Sequence, residues 1–205
     1  MTELSNCLHS ERAFMYKLLS ECYYPPNKKI NKIIGNLNSL LCSFLPELAK
    51  YVPDVPLDIA SLEIDFSRLF IGPFKVLCPP FGSVYMDNGN TLMGDTTIEV
   101  RNIYEKEGLI NNGTNNIPDH IAVELEFMYY LVYNEFNEHS NKDDNLVEIY
   151  ADKQKKFLNN YLGKWVFDFV ESVEKQAITM FYKEIAILTR NFIIYELKQL
   201  TDFEV

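Results

Sequence analysis

The sequence predicts an all-α fold, a single globular bundle of about eight to ten helices spanning residues 1–205. Three observations predict it. Only 8 glycines occur in 205 residues, and hairpin signals are few. Apolar residues recur at helical spacing in most segments rather than alternating. Hydrophobic residues make up 47% and aromatics 14%, so a chain of this length can bury a core without a disulfide or metal staple.

The elements follow in order. "ERAFMYKLLSECYY" sets Phe14, Leu18 and Cys22 on one stripe and stops before Pro25–Pro26. A second helix begins at Asn27, a plausible cap, and carries Ile30, Ile33, Ile34, Leu37, Leu40, Leu41 and Phe44. A short piece starts at Pro46, and another helix runs from Leu57 to Phe70. Residues 71–94 then break the pattern with Gly72–Pro73, Pro79–Pro80, Gly82 and "DNGN". A loop this long is functional or disordered, and Phe74, Val76, Leu77, Phe81, Val84 and Tyr85 are too apolar for disorder. A packed loop is therefore expected. Asp95 or Thr96 can cap a helix closed by Gly108, and "NNGTNN" is a polar turn. Helices are expected at 119–138, 144–162, 164–175 and 177–200, with a break at Gly163.

Charge and cysteine usage restrict the partners. A net charge of −10 and a pI near 4.8 oppose unaided binding to nucleic acid or anionic membrane and favour a cationic partner. Cys7, Cys22, Cys42 and Cys78 form no C-x-x-C pair, which reads as free thiols in a reducing cytosol. "MTELSNCLHSERAF" lacks a basic region followed by an apolar run, and no stretch of about 18 apolar residues exists. A cytoplasmic protein without membrane insertion is expected.

Three stretches are site candidates. In "PDHIAVELEFMYYLVYNEF", Ile121, Leu125, Met128 and Val132 share a face. A step of about 100° per residue puts Glu124 on that apolar face and Glu126 on the other, among Tyr130 and Tyr133. Asp119 sits where a cap belongs, and His120 and Glu124 are i, i+4 neighbours that could pair. Either this is a capped helix with one satisfied buried carboxylate, or Asp119, His120 and Glu124 line a pocket. Zinc is a poor fit, since no second His lies at helical spacing. Neither G-x-S-x-G nor a phosphate loop occurs, so hydrolase and nucleotide-cleaving chemistry lack their parts. In "DFSRLFIGPFKVLCPPFGSVY", Phe66, Leu69 and Phe70 form an apolar patch, and Pro79–Pro80–Phe81 a stiff ledge suited to core packing or to an apolar peptide. Phe157, Tyr161, Trp165 and Phe169 recur every four residues and read as core.

Taken together, "FSRLFIGP…CPPFGSVY", "PDHIAVELEFMYYL" and "FLNNYLGKWVFDFV…FYKEIAILTRNFI" resemble the TorD/DmsD family of redox-enzyme maturation chaperones. "ERAFMYKLLSECYYPP" is similar to the family's opening helix. The resemblance implies an all-helical, cytoplasmic, non-enzymatic chaperone, monomeric or dimeric, without a cofactor. Its implied partners are the twin-arginine signal peptide and the apo form of a molybdenum or tungsten oxidoreductase. Carried over by position, signal binding falls to Phe66, Leu69, Phe70, Pro80, Phe81, Gly82, Ser83, Asp119 and His120, with Glu124 in the same motif. Tyr161–Leu162 stands where many members have His–Leu, and Phe66 where many have Trp or Tyr. Carboxylates beside an apolar groove suit arginines next to an apolar segment, provided the two segments meet in space. Two alternatives stand beside this reading: a NarJ-type chaperone of a cytoplasm-retained reductase, and a small helical nucleotide-binding or hydrolytic enzyme.

Overall fold

A computed structural model describes residues 3–72, 75–88, 92–109 and 117–201. Nine α-helices lie among them, and no strand. Phe74 and the "NNGTNN" turn fall outside the described residues, as does the side chain of Cys7.

Helix α1 spans Glu3–Cys22, α2 Ile30–Phe44, and a 3-10 turn follows at Pro46–Tyr51. The predicted apolar face of α2 is buried at Ile30, Ile33, Ile34, Leu37, Leu41 and Phe44. Its start differs from expectation. Asn27 turns the chain ahead of the helix, its Oδ1 accepting the Lys29 amide at 2.9 Å, and no side chain caps α2 itself. The stripe on α1 also differs: Leu18 and Cys22 are buried, but Phe14 is 58% exposed. The buried arc is centred on Tyr16, Leu19 and Tyr23, and 100° steps put Phe14 on its far side.

Helix α3, Ile59–Phe66, is capped by Asp58, which accepts the Ala60 amide, and runs into a π-helical turn at Ser67–Ile71. The following segment is packed, as its composition predicts. Cys78, Pro80, Gly82 and Ser83 are buried, and Gly82–Met86 forms a short helix, α4, where a loop was expected. Helix α5 covers Asp95–Lys106. Its cap is not Asp95 or Thr96. Asp87 reaches across from the end of α4 and accepts both the amide and the hydroxyl of Thr96. Helix α6 is Ile121–Asn141, α7 Asp144–Phe157, α8 Gly163–Gln176 and α9 Met180–Thr201. The break predicted at Gly163 is a π-helical turn, Leu158–Leu162. A Cβ on Gly163 would press into the Leu158 carbonyl, so the turn can close only on glycine.

The longest pairing is antiparallel, α1 along α6. It is fixed by a buried ionic network. Arg12 on α1 pairs bidentately with Glu196 on α9, Nε to Oε1 at 2.9 Å and NH2 to Oε2 at 2.8 Å. Arg12 also donates to Gln154 on α7 at 3.0 Å, and Gln154 donates to Glu135 on α6 at 2.8 Å. Tyr16 donates to Glu196 at 3.1 Å. One guanidinium thus ties four helices together among buried side chains.

Removing the cation would leave Glu196 buried and unpaired, a situation that costs about 3–5 kcal/mol. Arg12→Met should lower unfolding stability in urea by that order, and Arg12→Met with Glu196→Leu should recover much of it. A single variant within about 1 kcal/mol of wild type would show that the network does not determine the fold.

Candidate functional site

The structure brings two of the three singled-out segments together at main-chain level. The Ile117–His120 turn lies against Pro80–Gly82 as an isolated antiparallel bridge between Phe81 and His120. The Gly82 amide donates to the Asp119 carbonyl at 2.8 Å, and the Ile121 amide to the Pro80 carbonyl at 2.9 Å. Asp119 is fully buried. Its Oδ2 accepts the Ser83 amide at 2.7 Å and its Oδ1 the Thr97 hydroxyl at 2.9 Å. The carboxylate therefore serves the first turn of α4 and the first turn of α5, not α6.

The expected cap role of Asp119 on α6 belongs instead to His120. His120 is extended at φ −72°, ψ 137°, and its Nδ1 accepts the Ala122 amide at 3.1 Å. The Pro118–Asp119 turn aims the Asp119 side chain outward from α6 and leaves the next residue in capping position. Burial lowers the His120 pKa to about 4, against the opposing pull of Asp119, so the ring is neutral at neutral pH. With Nδ1 accepting, its proton sits on Nε2. The ring stacks on Tyr24 (6.2 Å, 12°) and meets Phe81 edge-on at 5.2 Å.

Glu124 lies on the apolar face, as helical projection predicts, and is fully buried. It does not pair with His120. Its Oε2 accepts the Trp165 indole N–H at 3.1 Å. Burial drives its pKa well above the ordinary value, the Trp165 hydrogen bond opposing and Asp119 adding to the rise. Gly82 is wedged here: a Cβ would sit 2.9 Å from Trp165 Nε1 and 3.3 Å from Glu124 Oε1. Tyr85 stacks on the same indole at 5.5 Å and 23°. Helix α4 thus rides on α8 through backbone approach at Gly82 and ring contact at Tyr85.

Phe66, Leu69 and Phe70 are placed elsewhere. All three are buried in the core, where Phe66 and Phe70 pack on Tyr182, and Phe70 also on Tyr23 and Phe169. Phe70 connects toward the crossing through the rings Phe169, Trp165 and Tyr85, and the Leu69 carbonyl accepts the Cys78 amide at 2.9 Å, just before Pro80. Of the ten residues singled out by sequence, Phe81 and His120 are part-exposed and the other eight are buried. Neither Asp119 nor Glu124 offers a carboxylate to solvent. Tyr24 and Glu126 were not singled out. Glu126 lies on the part-exposed side of α6, as projection predicts, and also reaches α1 and the turn after it, accepting from Tyr24 OH at 3.0 Å and Lys17 Nζ at 3.1 Å. The tandem Tyr23–Tyr24 in the turn just after α1 was the available signal: Tyr23 enters the core and Tyr24 stays part-exposed. Among the described residues no group of three His, Cys, Asp or Glu side chains could hold a metal, and no helix is long and apolar enough to cross a membrane.

Two variants test this geometry. Gly82→Ala should destabilise by about 1–3 kcal/mol through overpacking against the indole, read by denaturant unfolding and Trp165 emission; a neutral effect would refute the wedge. Glu124→Gln keeps an acceptor for Trp165 and removes the titration. Because the folded pKa of Glu124 is raised, its contribution to stability is fully present below the ordinary value of 4.5 and is lost as pH rises through the folded value. The melting temperature of the Gln variant relative to wild type should therefore climb with pH. A pH-independent difference would mean that Glu124 is ionised in the fold.

The family model for the nitrate reductase delta subunit matches residues 35–171. A Tat proofreading chaperone, DmsD, of Haemophilus influenzae is 28% identical over 125 residues, 60% of this chain and 54% of that protein. The chaperone protein TorD of Aliivibrio fischeri is 29% identical over 138 residues, 67% of this chain and 63% of that protein. The aligned region thus spans little more than half of the first relative's length. A crystal structure of a redox enzyme maturation protein from Archaeoglobus fulgidus superposes with a TM-score of 0.58 at 24% identity, covering 90% of this chain and 93% of that one. That likeness supports the all-α bundle. With two thirds of its length matched by the family model, the chain belongs to the nitrate reductase delta subunit family, within which its relatives carry the TorD and DmsD names.

Proposed function

We propose that this chain is a cytoplasmic redox-enzyme maturation chaperone. It acts as one helical unit, binds the twin-arginine signal peptide of a molybdenum or tungsten oxidoreductase, and holds the apo-enzyme until its cofactor is loaded and before export. The observation that carries this reading is the Phe81–His120 crossing. It presents Phe81, His120 and Tyr24 as one part-exposed aromatic ledge on a rigid main-chain frame. Fixed rings suit an apolar peptide segment because little entropy is lost when it docks. Pro80, Gly82, Ser83, Asp119 and Glu124 take part by holding that ledge in shape; Phe66, Leu69 and Phe70 support it from the core.

A binder fits the chemistry of the buried groups better than a catalyst. The His120 Nδ1 is spent on a helix amide, and Glu124 is sealed from solvent with its Oε2 on the Trp165 indole. Neither is poised to move a proton for a substrate.

The description of the matching family as a nitrate reductase delta subunit favours a second reading. In it, the client is retained in the cytoplasm and the bound segment lacks twin arginines.

Titration calorimetry with a synthetic twin-arginine signal peptide and with the same peptide scrambled distinguishes these readings. The first expects saturable binding of the intact signal alone. Phe81→Ala should weaken it by more than about 1 kcal/mol while leaving the helical far-UV spectrum intact. Equal affinity for both peptides, or none for either, would overturn the signal-binding reading.

A further inference from the structure

The ledge described above lacks an acidic group at its buried positions, since Asp119 and Glu124 are both sealed from solvent. A half-exposed carboxylate lies at its other end. Glu126, one turn into α6, has a side chain 36% exposed. Its Oε2 accepts from the hydroxyl of Tyr24, whose ring stacks on His120. Phe81, His120, Tyr24 and Glu126 therefore form one continuous run, with aromatic surface at one end and a carboxylate at the other.

The Glu126 seat already holds a cation from within the chain. Lys17 Nζ lies 3.1 Å from Glu126 Oε1, and the same ammonium lies 3.7 Å from Glu21, one turn along α1. Lys17 is itself 35% exposed. An ammonium at such a site makes a point contact, is well hydrated and contributes little to stability. A guanidinium would make two parallel N–H···O bonds to the same carboxylate and stack its plane on the neighbouring tyrosine. Lys17 has Glu21 to fall back on, so displacing it strands no charge. The His120 ring, neutral at neutral pH, does not repel the incoming cation.

We propose that Glu126 is the specificity carboxylate of the ledge: it receives a guanidinium of the client's arginine-bearing segment, and Lys17 is a built-in stand-in that the guanidinium displaces. This inference rests on the signal-binding reading and names the group that would discriminate arginine within it.

The test is a mutant cycle by titration calorimetry on the full chain. The probes are a synthetic twin-arginine signal peptide and its Ala-Ala counterpart. Glu126→Gln should weaken the Arg-Arg peptide about tenfold and leave the Ala-Ala peptide nearly unchanged. Lys17→Gln, by removing the competitor, should tighten the Arg-Arg peptide by about twofold to fivefold. Equal losses for both peptides in Glu126→Gln, with the wild type binding well, would overturn the role of Glu126 while the signal-binding reading stands. Absence of wild-type binding to the Arg-Arg peptide would remove both. If Glu126→Gln does not fold, the Lys17→Gln result decides, since unchanged or weakened affinity there contradicts a displaced stand-in.

Discussion

The burial of the Asp119 carboxylate is the constraint on which the geometry of this region depends. A carboxyl group removed from water is unfavourable unless hydrogen-bond partners replace the lost hydration. Here the donors are the Ser83 amide and the Thr97 hydroxyl, from the first turns of two different helices. Meeting them requires the Asp119 main chain to lie against Gly82, and that contact in turn sets Phe81 opposite His120. The short helix α4 has too few residues to be stable alone. It exists because one end is capped from outside by Asp119 and its flank rests on Trp165.

Two buried acids illustrate how donor supply decides protonation. Asp65 is closed to solvent like Glu124 but lies nearer the surface, beside the part-exposed Arg68. Burial also opposes its ionisation, yet its pKa is lowered, because the Thr179 amide and hydroxyl, the Ile178 amide and Arg68 all donate to it. Glu124 has the Trp165 indole as donor, and its pKa rises. Asp65 therefore anchors the turn that leads into α9, whereas Glu124 is a polar filler between Gly82 and the indole. Treating both as site carboxylates on the strength of residue type alone misses this difference.

Much of the fold was legible in the sequence because helical periodicity is a local signal. The apolar face of α2, the two-faced character of α6 and the core stripe through Trp165 all follow from residues within a few turns of each other. What was not legible depends on distant partners. Asp87 capping α5 and Asp119 capping α4 are side chains reaching across the chain, and nothing in their own neighbourhood announces it. Arg12 looks like an ordinary surface residue in "ERAF" until α9 supplies Glu196. Phe14 misled because a three-residue stripe fixes a direction poorly: Leu18 and Cys22 sit at the margin of the buried arc, and Phe14 continues their line out of it. Sequence left open whether the two motif segments meet: Pro80–Gly82 does cross Asp119–His120, while Phe66, Leu69 and Phe70 lie in the core, and motif membership does not separate a group that faces a partner from one that holds the frame.

That separation matters for how a chaperone of this kind could discriminate without losing stability. If the arginine-reading carboxylate were buried like Asp119, each binding event would have to strip it from the amides that hold α4, and recognition would compete with folding. A carboxylate at the ledge's exposed end escapes this conflict. Glu126 is positioned by Tyr24, in the turn after α1, and paired with Lys17 on α1, and the α1–α6 pairing is anchored independently by Arg12. Exchange of one cation for another at Glu126 then leaves the frame untouched. Rigid rings would supply affinity for an apolar segment at low entropic cost, while a half-exposed ion pair would supply a contact that is easily swapped. The division between a dry frame that fixes shape and a wet rim that reads charge follows from where the protein places its donors.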